Sequence, residues 1–134
     1  MNKLFIFFIL TIISYSIHLN TEPKCKSNES IIHLMNYLHH VLSVYTIFGS
    51  FLFGHHKTHI IIIIIVVFAR SLYNFRCPVT LLYNKLCDIP METRFHDIPS
   101  VILPKNIEHG DFTSLIGLVI LYDLYYIKTF KIKK

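Results

Sequence analysis

Long apolar runs, separated by short polar stretches, divide the chain into membrane-type segments. The runs cover residues 1–19, 31–54, 59–76 and 112–127, and each is near the roughly 20 residues that a membrane-spanning helix needs. The third run contains six consecutive isoleucines, Ile60 to Ile65, which favour a strand by propensity alone. Because a lone strand leaves its backbone polar groups unpaired in lipid, the pattern predicts helices throughout.

The first run has two interpretations. Lys3 precedes an apolar stretch of signal-peptide length, and Ser14 and Ser16 supply the small residues that a signal peptidase reads. Cleavage after Ser16 fits the pattern, and so does retention of residues 1–19 as a first span. In both cases the polar loop that follows lies on the exoplasmic side.

The polar stretches set the predicted topology. Residues 55–59, HHKTH, form a turn short enough to make the spans on either side antiparallel neighbours. Residues 77–111 form an exoplasmic loop, in which Pro78 begins a short amphipathic helix. The basic tail of residues 128–134 follows the last span, as expected of a cytoplasmic end. The predicted fold is an all-α integral membrane helical bundle of 3–4 transmembrane helices, three if the first run is cleaved.

Composition agrees with a single membrane domain over residues 1–134. The chain is 53% hydrophobic and 16% charged, whereas soluble domains are about 45–50% apolar and about 25% charged. Its formal net charge is +5, but the basic residues form no groove-sized patch and several lie in the tail. We therefore expect the lipid bilayer as a partner and no nucleic acid.

Polar residues in the second run share one helical stripe. His33, Asn36, His40 and Ser43 follow three- and four-residue spacing, and a helix in lipid turns such a stripe toward other helices or water. With Arg70 they form the predicted binding residues, here named the polar seam. A small oligomeric ion or proton channel lined by this stripe is the alternative.

Arg70 is costly in lipid, by about 2.5–3.5 kcal/mol at the centre of a span. It lies near the outer end of the third run, so we expect it to snorkel or to pair with a loop carboxylate, Asp88 or Glu92. Asp123 lies near the inner end of the last run. The two depths differ by roughly 10 Å, which argues against an Arg70–Asp123 pair.

The nine histidines raise the question of a metal or haem. A membrane haem needs two axial histidines at equal depth on facing helices, and we expect only His40 to lie well inside a span, with His18 near the outer surface. His55, His56 and His59 are neighbours without a nearby cysteine or carboxylate. We predict no metal and no cofactor, and keep a haem or redox subunit as the second alternative.

Cys25, Cys77 and Cys87 all fall on the exoplasmic side, where disulfides form. A Cys77–Cys87 bond would clamp the short helix, and a Cys25–Cys77 bond would tie two helix ends together. One thiol is left over in either arrangement. The sequence has no nucleophile motif, P-loop or pair of carboxylates in a span, so we predict no enzyme and no catalytic residues.

Residues 77–86, CPVTLLYNKL, resemble the C-P-L-T-x-L-E-N-x-L signature of a family of small multipass membrane proteins of unknown function. In that family the signature follows a hairpin whose first helix carries histidine and ends in glycine, where this chain has His39, His40 and Gly49. Tyr83 stands in place of the family's glutamate. The resemblance implies an architecture and no mechanism. The chain is also similar to small proteins of large DNA viruses with AT-rich genomes.

We therefore expect a multipass protein of the endoplasmic reticulum or plasma membrane, in a host membrane if viral. Its predicted role is non-enzymatic, in membrane assembly or in binding lipid, a second copy or another membrane protein. The Cys77–Asp111 loop and the polar seam would make these contacts.

Overall fold

The computed structural model describes residues 2–21, 25, 30–93, 98 and 110–132, which form five helices and no strand. The helices are α1 (Lys3–Thr21), α2 (Ser30–Phe53), α3 (His56–Ser71), α4 (Pro78–Leu86) and α5 (Gly110–Ile132). The all-α prediction is confirmed. Four helices coincide with the four apolar runs, and α4 coincides with the short helix after Pro78. The remainder of the predicted exoplasmic loop, residues 94–97 and 99–109, lies outside the described residues, as does the end of the tail.

The turn between α2 and α3 is shorter than predicted. His56 already begins α3, so only Gly54 and His55 connect the two helices. Gly54 has a φ of +71°, a left-handed conformation that glycine adopts without a side-chain penalty. Four residues of the expected HHKTH turn therefore belong to a helix, which places His56 and His59 on a rigid element one turn apart.

The end of α3 is also earlier than predicted, at Ser71. The N–H groups of Tyr73 and Phe75 both donate to the Arg70 carbonyl, at 3.0 and 2.8 Å, and this turns the chain away from the helix. Phe75 has a φ of +60°, which is unusual for a bulky residue. Two hydrogen bonds from the Arg70 guanidinium to the Phe75 carbonyl, at 2.9 and 3.2 Å, hold this turn.

Helix α2 is the centre of the bundle, since it contacts each of the other four helices. Helices α1 and α2 form one packed pair and α3 and α5 form another. Ile63 of α3 packs against Ile116 and Val119 of α5. The ring contacts Phe7–Phe53 and Tyr15–Tyr37 show that α1 is antiparallel to α2. Helix α2 is antiparallel to α3, as predicted from the hairpin turn.

The interior of the bundle is rich in polar groups, and much of its surface is apolar. The buried polar side chains lie on α1, α2, α3 and α5 and include Thr11, Ser14, His18, Asn36, His40, His59 and Asp123. Ile61, Ile64 and Ile65 of α3, in contrast, are each more than half exposed. This arrangement is the reverse of a water-soluble core.

Helix α1 is long and apolar enough, over Lys3–Asn20, to cross a membrane. It is the one helix in the described part of the chain that meets this description by length and composition, and a signal sequence near the N-terminus has the same character. The chain thus has one helix suited to be a membrane span or signal anchor. Helix α3, with 16 residues, is only about 24 Å long.

The predicted Cys77–Cys87 disulfide is wrong, and so is its Cys25–Cys77 alternative. Cys25 is bonded to Cys87, with their Cα atoms 4.8 Å apart, and Cys77 is a free thiol. Cys77 and Cys87 cap opposite ends of α4, about 15 Å apart along the helix, which is beyond the reach of a disulfide. The bond closes a cap over the outer end of α2, where Ile32, Tyr83 and Ile89 pack around it.

Candidate functional site

The titratable and nucleophilic side chains of this fold meet at three places, which are two histidine clusters and one partly exposed thiol. The first cluster lies where the start of α3 meets α5. Asp123 is fully buried, and each of its carboxylate oxygens bonds a histidine: Oδ1 lies 2.8 Å from His56 Nδ1, and Oδ2 lies 2.6 Å from His59 Nδ1. The expectation that these histidines have no nearby carboxylate is therefore wrong. We name Asp123, His56 and His59 the inner cluster.

The hydrogen bonds of His59 involve both of its ring nitrogens. His59 Nε2 lies 2.9 Å from the Tyr45 carbonyl oxygen, which can only accept, so this nitrogen carries a hydrogen. One further proton must lie between His59 Nδ1 and Asp123 Oδ2. It belongs either to an imidazolium beside a carboxylate or to a carboxylic acid beside a neutral imidazole. Both forms satisfy every atom of this buried contact.

Small and aromatic residues shape the space around the inner cluster. A Cβ atom at Gly49 would lie 2.9 Å from His59 Cδ2, so α2 approaches the ring closely only because this residue is glycine. The His56 ring stacks on Tyr126 with centroids 4.7 Å apart, and Tyr122 stacks on Phe51 at 4.1 Å. Tyr122 and Tyr126 thus form a wall beside His56.

The second cluster, named the outer cluster, comprises Ser14 and His18 of α1 and His40 of α2, all fully or almost fully buried. Ser14 Oγ lies 2.9 Å from His40 Nδ1 and accepts a hydrogen bond from the Ile98 N–H at 3.3 Å. The Ser14 hydroxyl thus bonds both the His40 ring on α2 and the backbone N–H of Ile98.

His18 lies deeper in the protein than the sequence suggested. Its ring centroid is 5.3 Å from that of His40 and 5.8 Å from that of Tyr83, so it is covered by α2 and by the α4 cap. The rings of His18 and His40 therefore lie at one level of the bundle, because α2 extends beyond the end of α1 and α4 packs on this overhang. Counting residues along one helix gives the position of a histidine in that helix, but it does not give the stagger between α1 and α2.

A third site, which we name the thiol cleft, opens between α2, α3 and the start of α4. It has a volume of about 30 Å³, more than the roughly 10–15 Å³ that one water occupies. Its lining includes His39, Ser43 and Thr46 of α2, Val66 and Arg70 of α3, and Cys77. Cys77 Sγ lies 3.4 Å from His39 Nδ1. Sequence analysis did not pair these two residues.

The environment of Cys77 favours its thiolate. Burial raises the pKa of the thiol, but the hydrogen bond and charge of His39 lower it, as do the backbone N–H groups of Thr80 and Val79, and the resulting pKa is about 7. Those N–H groups are at the start of α4, where the helix dipole also stabilises negative charge.

The structure divides the predicted polar seam. His33 is exposed, whereas Asn36, His40 and Ser43 are buried. His40 meets α1 and Ser43 lines the thiol cleft with Arg70. The stripe on α2 is therefore real for three residues, but it faces two different neighbours.

Arg70 does not pair with Asp123, as predicted. About 16 Å of helix separates it from His59, and its guanidinium bonds the Phe75 carbonyl. Snorkelling toward the outer end stays a prediction. Pairing with Asp88 or Glu92 stays a prediction.

The sequence did not predict the partners of Asp123, His59 and Cys77. A signal in the sequence existed for the first two. Asp123 is the only carboxylate within the last apolar run, and His59 lies in the first turn of the third. Antiparallel packing of these runs brings both to the inner end. The pairing of His39 with Cys77 had no comparable signal, since it depends on where the chain turns after α3.

No protein-family model, curated protein or solved structure matches the chain. The resemblance of residues 77–86 to the C-P-L-T-x-L-E-N-x-L signature, and the viral origin, stay predictions. Among the residues described, no group of three or more His, Cys, Asp or Glu side chains is placed to hold a metal ion.

Proposed function

We propose that this chain is a multipass integral membrane protein, with α1, α2, α3 and α5 as spans, that acts as a non-enzymatic assembly or binding component. The observation that carries the proposal is the reversed polarity of the bundle. Histidines and a carboxylate are buried in its interior, and isoleucines and phenylalanines of α1 and α3 face outward. In water this would expose a large apolar surface, whereas lipid covers it without cost.

The same observation favours retention of α1 over its cleavage as a signal peptide. Thr11, Ser14 and His18 lie on the buried face of α1, and Ser14 bonds His40. Cleavage after Ser16 would remove that serine and uncover a polar face of α2 to lipid. A retained α1 places the amino end, the α2–α3 turn and the carboxyl tail in the cytoplasm.

The binding role rests on the outer end of the molecule. Leu72, Tyr73, Phe75, Leu82 and Leu86 are exposed there, each by 46–66%, on a turn and a helix that the disulfide and Arg70 hold in place. A rigid apolar surface beside the bilayer suits contact with another membrane component.

Cysteine labelling in intact cells tests the topology. In a Cys77→Ser background we would introduce Lys57→Cys near the start of α3 and Lys85→Cys on α4, both exposed positions. A membrane-impermeant maleimide is expected to label Lys85→Cys directly and Lys57→Cys only after permeabilisation. Equal labelling of both positions in intact cells, or complete release of the protein by alkaline carbonate, would refute the proposal.

A second candidate function is a proton pathway within one chain. The specific observation that favours it is the 2.6 Å contact between His59 Nδ1 and Asp123 Oδ2, two fully buried side chains, with His56 on the second carboxylate oxygen. Asn36 and His40 are buried inside one chain, so a pore between copies would not be lined by them. A route through the single bundle would use the inner cluster.

Proton flux into liposomes tests this candidate. Asp123→Asn removes the acidic oxygen with little change of shape and is expected to abolish the flux. His33→Gln changes an exposed histidine and serves as the matched control. Flux that persists in Asp123→Asn would rule out a route through the inner cluster, and flux absent from the wild type would reject the candidate.

A further inference from the structure

The thiol cleft carries chemistry that neither a membrane anchor nor a proton route uses. Its reactive group, Cys77, is partly exposed, and it is the one cysteine that the disulfide leaves free. It cannot exchange easily with its own chain, because α4 separates it from the Cys25–Cys87 bond. Any disulfide that Cys77 forms is therefore with another molecule.

Cationic side chains or hydrogen-bond donors approach Cys77 from three helices, between the apolar side chains of Leu42 and Val66. His39 faces it from α2, Arg70 lines the cleft from α3, and the N–H groups of Val79 and Thr80 face it from α4. The neighbouring Arg76 donates instead to the Met91 carbonyl at 2.8 Å. With a pKa of about 7, about half of the thiol is ionised at neutral pH, whereas an ordinary cysteine is only a few per cent thiolate.

Arg70 lines the thiol cleft and brings a positive charge to it. Its Nε and Nη2 atoms are fixed by the Phe75 carbonyl, so the guanidinium cannot swing freely into solvent. Arginine forms bidentate hydrogen bonds with carboxylates, and an anionic reactant would be held near Cys77 by these and by His39.

We infer that Cys77 is a modification site that exchanges with small anionic disulfides of the glutathione disulfide type, with His39 activating the thiol and Arg70 selecting the anion. Only the attacked sulfur needs to approach the cleft, and the rest of the reactant lies outside it. The site is distinct from the inner cluster, and it does not depend on the direction in which the chain crosses a membrane.

The exchange balances without a further oxidant. The Cys77 thiolate attacks one sulfur of the disulfide, the bond between the two sulfurs of the reactant breaks, and a new bond joins Cys77 to one half. The other half leaves as a thiolate with the electron pair and takes a proton from solvent. Cys77 is oxidised, and the departing thiol is the reduced product.

The test uses the full chain in detergent micelles and follows the mass of the intact protein over time. Glutathione disulfide is the anionic probe, and cystamine, a cationic disulfide, is the control for charge. Between pH 5.5 and 8.5 we expect one adduct per chain, located at Cys77, with a rate that rises with pH through an apparent pKa near 7. Glutathione disulfide should react at least fivefold faster than cystamine.

Two variants separate the roles of the neighbouring side chains. His39→Gln is expected to move the apparent pKa of the reaction to above 8 and to slow adduct formation at pH 6.5 about tenfold. Arg70→Gln should remove the preference for glutathione disulfide, and it should slow the reaction with iodoacetamide, an uncharged reagent, by a smaller factor. Arg70→Lys keeps the positive charge but loses the paired hydrogen bonds to the Phe75 carbonyl. It should retain part of the preference, which separates the effect of the charge from that of the turn.

Several results would overturn the inference. One is an apparent pKa for Cys77 at 8.5 or above in the wild type. Another is a cystamine rate equal to that of glutathione disulfide. A third is an adduct on Cys25 or Cys87 in place of Cys77.

Discussion

At the scale of single residues, Asp123 determines how the inner end of the bundle is built. Each carboxylate oxygen bonds one histidine, and the Tyr45 carbonyl takes the remaining nitrogen of His59. Removing one partner of a buried charged pair costs about 3–5 kcal/mol, because the other partner stays buried without compensation. The positions of the His56 and His59 rings therefore depend on the residues that pack against them. Gly49 packs against the His59 ring.

Gly49→Ala should destabilise the protein by about 1–3 kcal/mol, since the added methyl group overpacks the interface. The new Cβ would lie 2.9 Å from His59 Cδ2, and that ring cannot move away without breaking a hydrogen bond. Thermal unfolding in detergent measures the effect. Gly117→Ala is the matched control, because a Cβ there meets no atom within 4 Å. Equal unfolding temperatures for the two variants would contradict the role of Gly49.

At the scale of helices, stagger and overhang position the functional groups. The first turns of α2 project past α1 and are covered by α4, which the Cys25–Cys87 bond attaches to the segment before α2. This cap buries His18 and Tyr83 against each other. Polar groups at the end of a helix hairpin thereby become interior groups.

Cys25→Ser should lower the stability of the fold by about 2–4 kcal/mol, because the disulfide constrains the unfolded chain. The two cysteines are 62 residues apart in sequence, so the bond closes a long loop. Unfolding in the absence of reductant measures the loss. Cys77→Ser keeps the disulfide and should unfold near the wild-type temperature. A Cys25→Ser protein as stable as Cys77→Ser would show that the cap contributes little.

At the scale of the whole molecule, reversed polarity predicts how substitutions affect membrane insertion. Ile64 lies near the middle of α3 and is 57% exposed. Ile64→Asp should therefore reduce insertion, by about 2.5–3.5 kcal/mol for a charge at the centre of a span. The fraction of protein that resists alkaline carbonate measures it.

Thr58→Asp is the control for this experiment, since Thr58 is also exposed on α3 but lies in the first turn of the helix. It should remain as resistant to carbonate as the wild type. If both aspartate variants behave like the wild type, the exposed face of α3 does not contact lipid, and the four-span arrangement fails.

The sequence by itself determined the helical segments of this protein. Run length, the stripe on α2 and the proline that begins α4 are local properties, and each predicted an element that the structure contains. Its prediction that Arg70 and Asp123 lie at different depths also holds, because depth along one helix follows from counting residues.

Only the tertiary structure decided which side chains meet. The Cys25–Cys87 bond, the His18–His40 contact and the His39–Cys77 pair depend on the stagger between helices and on the course of the chain after Arg70. The stagger between helices and the course of the chain produce no repeating pattern in the sequence, because both result from packing between segments that are far apart in the chain. The polar seam therefore became two sites, and the cysteine predicted to form a structural bond became the free, activated thiol.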